Sequence, residues 1–299
     1  MSTVQKHQVV CFGEVLWDIF PSGAVPGGAP MNVAYHLHKQ NKNPALITKI
    51  GIDDEGKELM NIFSEKGICT DFFQIDDINE TGKVFARPNA DNEVTYDIVQ
   101  PVAWDYIQWE DAFKPLVEEA DFFVFGSLAA RNAISKSTLF SLLEIAKNKV
   151  LDINLRPPHF TRPVVVELLQ KADFVKMNIA ELELITGWFS NYNNTEDRLK
   201  WVRDKFKITN MVVTMGGDGA ILYMNDEIIF HDGFKVDVVD TVGSGDAFLA
   251  GMLARLLDNS SASDALDFAC SLGAFIATQR GACPEYQLHD VPNLNNINA

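Results

Sequence analysis

The feature that most constrains this chain is the alternation of short apolar runs with amphipathic stretches. "VVCFG" (9–13), "ALITKIG" (45–51), "FFVFG" (122–126), "VLDIN" (150–154), "DFVKMN" (173–178) and "MVVTMG" (211–216) are brief, rich in Val, Ile and Phe, and bounded by Gly, Asn or Asp. Such runs predict buried strands. Helical patterns such as "PLVEEA" and "STLFSLLEIAKNK" lie between them. Strand–helix alternation implies a parallel sheet with helices on both faces. The expected fold class is therefore α/β, a three-layer α/β/α domain with a mainly parallel sheet.

Residues 70–100 break the pattern. "FFQID", "GKVFARP" and "EVTYDIVQ" alternate like strands with no helix between them, and "PNADNE" suits a hairpin bend. They predict a small antiparallel sheet beside the main domain, serving as a lid or a dimer surface, or else an antiparallel edge of the main sheet. The Asn-rich end, "VPNLNNINA", predicts a loose tail.

Composition narrows the class. Net charge is −16 over 299 residues, which argues against nucleic acid as a partner. No apolar run is long enough for a bilayer, and "MSTVQKHQVV" lacks the apolar core of a signal peptide. Cys11, Cys69, Cys270 and Cys283 are scattered without a C-x-x-C spacing. Neither disulfides nor a zinc site is expected, and a reducing, cytoplasmic location fits.

"VDTVGSGDAF" (239–248) carries the strongest chemical signal. "FKVDVV" before it alternates as a strand. Phe248, Leu249, Met252, Leu253 and Leu256 after it recur with helical spacing. Gly243 and Gly245 thus open a helix, whose first amides and dipole favour an anion. Asp246 then reads in two ways. It is a helix cap, or it is a general base beside a phosphate cradle, taking the proton of an attacking hydroxyl. By contrast, "GIDDEGKE" (51–58) only imitates a P-loop. Glu58 stands where a Mg²⁺-binding hydroxyl belongs, and Asp53, Asp54 and Glu55 would repel phosphates. A structural turn between strand and helix is expected there.

Near the N-terminus, Glu14 and Asp18 follow the first strand. Gly27-Gly28-Ala29-Pro30 then leads into a helix containing Asn32. Paired glycines permit close backbone approach, and Asp and Asn grip hydroxyls. A plain turn with proline at the helix start accounts for the same letters.

Taken together, "GGAPMNVAYHL" with "KIGIDDEG", and "DTVGSGDAFLAG", resemble the paired signatures of the PfkB (ribokinase-like) carbohydrate kinases over nearly the whole chain. The resemblance is nearest to the bacterial fructokinases of that family. It implies one Rossmann-like (ribokinase-like) kinase domain over 1–299, with a small β lid from about 14–26 and 70–100. It implies transfer of the γ-phosphoryl of ATP, with Mg²⁺, to a sugar hydroxyl. Asp246 then matches the general base, and the amides of Gly243, Ser244 and Gly245 the anion hole. Asp18, Gly27, Gly28, Asn32 and Arg156 match sugar-binding positions. Asn178 and Glu181, in "KMNIAELE", match an N-x-x-E motif linked to Mg²⁺ through water, with Asn178 also at the nucleotide. Thr214, Gly216 and Gly219 match the nucleotide-binding turn. Asp240, with backbone near Gly281, matches a monovalent-cation site for an ion such as K⁺.

Two features depart from the pattern. Only eight residues separate Asp18 from Gly27. Cys270 stands where many relatives have an Asn near adenine. The leading expectation is phosphorylation of D-fructose to fructose 6-phosphate. A 2-keto-3-deoxygluconate kinase is the alternative, with Arg87 and Arg156 as cations for an acidic sugar, and nucleoside kinases share the pattern. A non-catalytic sugar sensor is a third reading, disfavoured because it needs no base. The exposed edge of the lid invites pairing into a homodimer.

Overall fold

The structure is a computed structural model that describes residues 6–21, 23–88, 94–192 and 194–292. In chain order, β1 (Val9–Phe12), β2 (Leu16–Phe20) and β3 (Gly23–Gly27) precede α1 (Ala29–Lys39). β4 (Pro44–Gly51), α2 (Asp54–Glu65), β5 (Phe73–Asp76), β6 (Gly82–Pro88), β7 (Val94–Ile98) and α3 (Phe113–Glu119) follow. Next come β8 (Phe122–Gly126), α4 (Ala133–Leu143), β9 (Lys149–Asp152), α5 (Arg162–Leu169) and β10 (Phe174–Asn178). The chain ends with α6 (Ile179–Gly187), α7 (Thr195–Phe206), β11 (Asn210–Thr214), β12 (Ala220–Met224), β13 (Glu227–His231), α8 (Ser244–Leu257) and α9 (Ala262–Ala277).

The main sheet has the order β13-β12-β11-β10-β9-β8-β1-β4-β5. Every pairing from β5 to β11 is parallel, and β12 and β13 add an antiparallel edge. The six apolar runs all became strands of this sheet, because they alternate between two cores. Val10, Phe12, Phe123, Phe125, Leu151 and Val175 pack against α3 to α7. Val9, Cys11, Val124, Val150, Phe174 and Val212 pack against α1, α2, α8 and α9. The inner strands are covered on both faces, so both faces are mainly apolar. Removing a ring from either layer, as in Phe12→Ala, costs about 3–5 kcal/mol.

The second sheet has the order β3-β2-β6-β7. It consists of two antiparallel hairpins joined by a parallel β2–β6 pairing, Leu16 facing Gly82. Two expectations change here. "FFQID" does not belong to the small sheet: β5 pairs parallel with β4 at the edge of the main one. "FKVDVV" is no strand: 234–239 runs irregularly, and Val239 and Asp240 donate to the carbonyl of Ala277 instead of to a strand. The bend around 89–93, the side chain of Arg87 and the tail 293–299 lie outside the described residues.

The imitation P-loop is a structural turn. Asp53 caps α2 by accepting from the amide of Gly56 at 2.7 Å, and its other oxygen accepts from Thr81 N at 2.7 Å. All four cysteines are free thiols. Among the described residues, no helix is long and apolar enough to cross a membrane.

Candidate active site

The two signatures from opposite ends of the sequence meet at one place. Helix α8 begins at Gly243, whose φ of 76° suits glycine. Asp246 lies in its first turn but does not cap it. Its carboxylate reaches across to α1, where Asn32 donates from Nδ2 to Oδ2 at 2.7 Å. Burial pushes the Asp246 carboxyl up to about 6; Lys176, the Asn32 hydrogen bond and Arg156 hold it back, while Asp152 adds to the rise. A carboxylate poised there is ionised at neutral pH yet willing to take a proton.

The sugar-binding candidates surround it. A Cβ at Gly27 would lie 2.1 Å from Oδ2 of Asp18, and one at Gly28 would lie 2.3 Å from the carbonyl oxygen of Glu14. Gly28 also has φ 119° and meets backbone, so it demands glycine, whereas the nearest neighbours at Gly27 are side-chain atoms of Asp18 and Leu16. Asp18, on β2 of the small sheet, is raised to about 6 by burial and by Asp246, against Arg156. Arg156, exposed beyond the end of β9, therefore bears on both acids. Asp18 of the small sheet thus lies near enough to Asp246 for the two charges to interact.

A cleft on the other side of the α8 N-terminus is lined by Thr214, Gly216, Gly219, Ser244, Gly245 and Cys270, with Phe248, Val236, Val238 and Ala274 making much of its wall. Gly219 permits a backbone crossing, since a Cβ there would lie 1.8 Å from the carbonyl oxygen of His231. Cys270 sits deep in the wall, and burial raises its thiol to about 12. Of the three anion-hole amides expected, that of Ser244 already donates to Thr241 O at 3.2 Å. The first-turn amides of Gly245 and Asp246 lack partners within the helix and are the better placed.

Asn178 and Glu181 form a reciprocal cap at the start of α6. Glu181 N donates to Asn178 Oδ1 at 2.9 Å, and Asn178 N to Glu181 Oε2 at 2.8 Å. Oε1 of Glu181 accepts from Leu155 N at 2.8 Å. With both oxygens on amides, this buried carboxylate suits metal-bound water better than the metal itself. Among the described residues, no cluster of three or more His, Cys, Asp or Glu could hold a metal directly. Asp240 and Gly281 do come together, Gly281 N donating to Asp240 Oδ2 at 3.1 Å.

Two residues escaped the sequence reading. Lys176 and Asp152 are register partners on β10 and β9, paired at 2.8 Å and nearly buried. Lys176 Nζ lies 3.0 Å from where a Cβ on Gly245 would sit, so an ammonium underlies the glycine loop. Burial opposes its charge, but Asp152, Asp246 and Glu181 outweigh burial and raise its pKa. A lysine inside the apolar run "FVKMN" was the available signal, since a buried cation requires a partner. Glu14, which the sequence placed after the first strand, is buried. Oε1 accepts from Ala29 N at 3.2 Å, Oε2 has no partner, and burial pushes the carboxyl up to about 7.

The glycine-opened helix start, the buried Asp246 in its first turn and the open α/β sheet fit a phosphotransferase acting on an alcohol group. The chain belongs to the pfkB family of carbohydrate kinases, whose profile, "pfkB family carbohydrate kinase", matches residues 7–287. It is 30% identical to probable fructokinase-6, chloroplastic, of Arabidopsis thaliana, over 95% of this chain and 80% of that one. It is also 30% identical to fructokinase-1 of Zea mays, over 93% and 94%. Among solved structures it resembles the fructokinase of Vibrio cholerae O395 with fructose, ADP and calcium ion bound, at TM-score 0.81 and 25% identity, covering 97% of each chain. The ribokinase-like fold and the sugar-kinase class expected from the sequence both hold.

Proposed function

We propose that the protein transfers the γ-phosphoryl of ATP to a hydroxyl of D-fructose, giving fructose 6-phosphate, with Asp246 as general base. The observation that carries this reading is the position of Asp246. It is bonded to Asn32 on the sugar side and belongs to the same turn as the amides on the nucleotide side.

Asp18, Asn32 and the Gly27–Gly28 turn hold and orient the sugar. Asp246 accepts the proton of the attacking hydroxyl as that oxygen bonds to the γ-phosphorus and the bond to the β-phosphate oxygen breaks. The amides of Gly245 and Asp246 and the Lys176 ammonium meet the charge on the moving group, while Asp152 tempers that ammonium. Asn178 and Glu181 would hold waters of a Mg²⁺ ion, whose chemistry is to neutralise phosphate charge. Asp240 and the backbone near Gly281 would hold a monovalent cation such as K⁺. The small sheet acts as a lid that keeps water from competing for the phosphoryl group, and its free edge as a homodimer surface.

The choice of fructose rests on the fructokinases that the chain resembles. The exposed guanidinium of Arg156 favours a second reading, a keto-deoxy acid substrate, because it could pair with a carboxylate. ADP release across ketoses, aldoses, keto-deoxy acids and nucleosides separates these readings. With the accepted substrate, Asp246→Asn should lower turnover roughly 10²-fold or more. Undiminished turnover in that variant removes Asp246 from the role. No turnover on any acceptor leaves a sugar-binding sensor.

A further inference from the structure

Helix α1 does more than offer Asn32 to Asp246. One turn further on, His36 is fully buried, and both ring nitrogens are engaged. Nε2 lies 2.9 Å from the carbonyl oxygen of Ala282, and Nδ1 lies 3.0 Å from the hydroxyl of Tyr286. A carbonyl can only accept, so Nε2 carries the proton and Nδ1 accepts from the tyrosine. Tyr35 adds a third fastening, donating to Pro284 O at 2.6 Å. Residues 282–286 are therefore tied along α1. From that segment Cys283 places its sulfur 3.3 Å from Oδ1 of Asn32, within reach for a thiol donor. A side-chain amide has one accepting end and one donating end. A thiol at the oxygen end leaves the nitrogen end for Asp246.

We propose that residues 282–286 form a positioning strap for the base, in which Cys283 keeps the Asn32 amide turned with its nitrogen toward Asp246. The inference rests on the reading of Asp246 as general base. Burial holds the Cys283 thiol well above the ordinary cysteine range, so it stays a donor at working pH. Burial likewise lowers His36 to about 4, so the fastening does not loosen as activity titrates. Asp246 is faced by Lys176 on β10, Asp152 on β9, Arg156 beyond β9, Glu14 after β1 and Asp18 on β2. None of these changes when the thiol is removed. What changes is the Asn32 hydrogen bond, which favours the ionised carboxylate. Losing it raises the proton affinity of Asp246.

The test is kcat/KM for the sugar against pH in full-length Cys283→Ala and Cys283→Ser, with Tm measured alongside. In the alanine variant the acid limb should move up by roughly 0.5–1 pH unit, what a hydrogen bond of ordinary net strength supplies. Below the limb kcat/KM should then be roughly 3- to 10-fold lower, and above pH 8 it should return close to wild type. Serine, which keeps a donor, should restore the wild-type limb. In an Asn32→Ala background, Cys283→Ala should add no further shift, because its target is gone. A wild-type limb in Cys283→Ala, a loss equal at every pH, or a loss that serine does not repair would each overturn the strap. Asp246→Asn belongs in the same series. If it stays active, the base assignment fails and takes the strap with it. If it is inactive while Cys283→Ala matches wild type, the strap fails alone.

Discussion

The amide nitrogen of Asn32 stands 2.7 Å from Oδ2 of Asp246, 214 positions away in the chain. The contact joins two buried surroundings that both resist charge. Asp246 and Asp18 are each raised to about 6, and Glu14 to about 7, burial being the chief cause in all three. A raised carboxyl pKa keeps the proton on over more of the acid range. The wild-type kcat/KM should therefore fall as pH drops through about 6, and more steeply than one proton explains, because neighbouring acids titrate together. A profile measured from pH 5 to 9 checks this. Constant kcat/KM down to pH 5 is incompatible with Asp246 as base.

Gly27 offers a separate test of the sugar site. A Cβ there would lie 2.1 Å from the Asp18 carboxylate, the free end of a side chain that can swing away. Gly27→Ala should leave Tm nearly unchanged while displacing Asp18. The sugar KM should rise roughly tenfold or more, about the worth of one charged hydrogen bond, with the ATP KM unaltered. A KM change for ATP instead would move Asp18 out of the sugar site.

Lys176 is tested as a pair with Asp152, since breaking a buried ion pair from one side costs about 3–5 kcal/mol and confuses the readout. The double variant Lys176→Met with Asp152→Leu should fold with a Tm near wild type. Its kcat should fall at least about 10-fold, because the ammonium beside Gly245 no longer meets the phosphoryl charge. An unchanged kcat would reduce Lys176 to a structural part.

Glu14 bears on stability. Its folded-state pKa, about 7, lies above the ordinary glutamate value, so the folded protein binds its proton more tightly than the unfolded chain. That contribution is present at low pH and is lost as pH rises through the window from about 4 to 7. At pH 8 a buried charge remains, at a cost on the order of 3 kcal/mol. Glu14→Gln, which removes the charge and keeps an acceptor for Ala29, should raise Tm at pH 8. The gain should shrink toward pH 5. A gain independent of pH would show that ionisation is not the cause.

The sheet was legible in the sequence because strands buried on both faces have few polar positions to disguise them. Gly243 to Asp246 and Gly27 to Asn32 were legible because close approach and positive φ leave few alternatives to glycine. "FKVDVV" misled because its alternation has no partner strand; pairing is a property of the neighbour, not of the run. "FFQID" misled because the choice between two sheets depends on where β4 ends. Lys176 and Asp152 were invisible for a related reason. Each looks like an odd polar residue in an apolar run, and only the register of β9 against β10 makes them a pair.

The small sheet reaches the main body through four crossings of the chain, at the ends of its two hairpins. Among the described residues, neither hairpin lines the cleft beside α8, whose walls come from residues 214–277. On the proposed reading, acceptor and donor are served by separate stretches of polypeptide that meet around Asp246. On the same reading, changes in the 16–27 hairpin, which carries Asp18 and Gly27, would retune which hydroxyl is presented without disturbing how the triphosphate is held. A lineage built on this plan can change its diet one hairpin at a time.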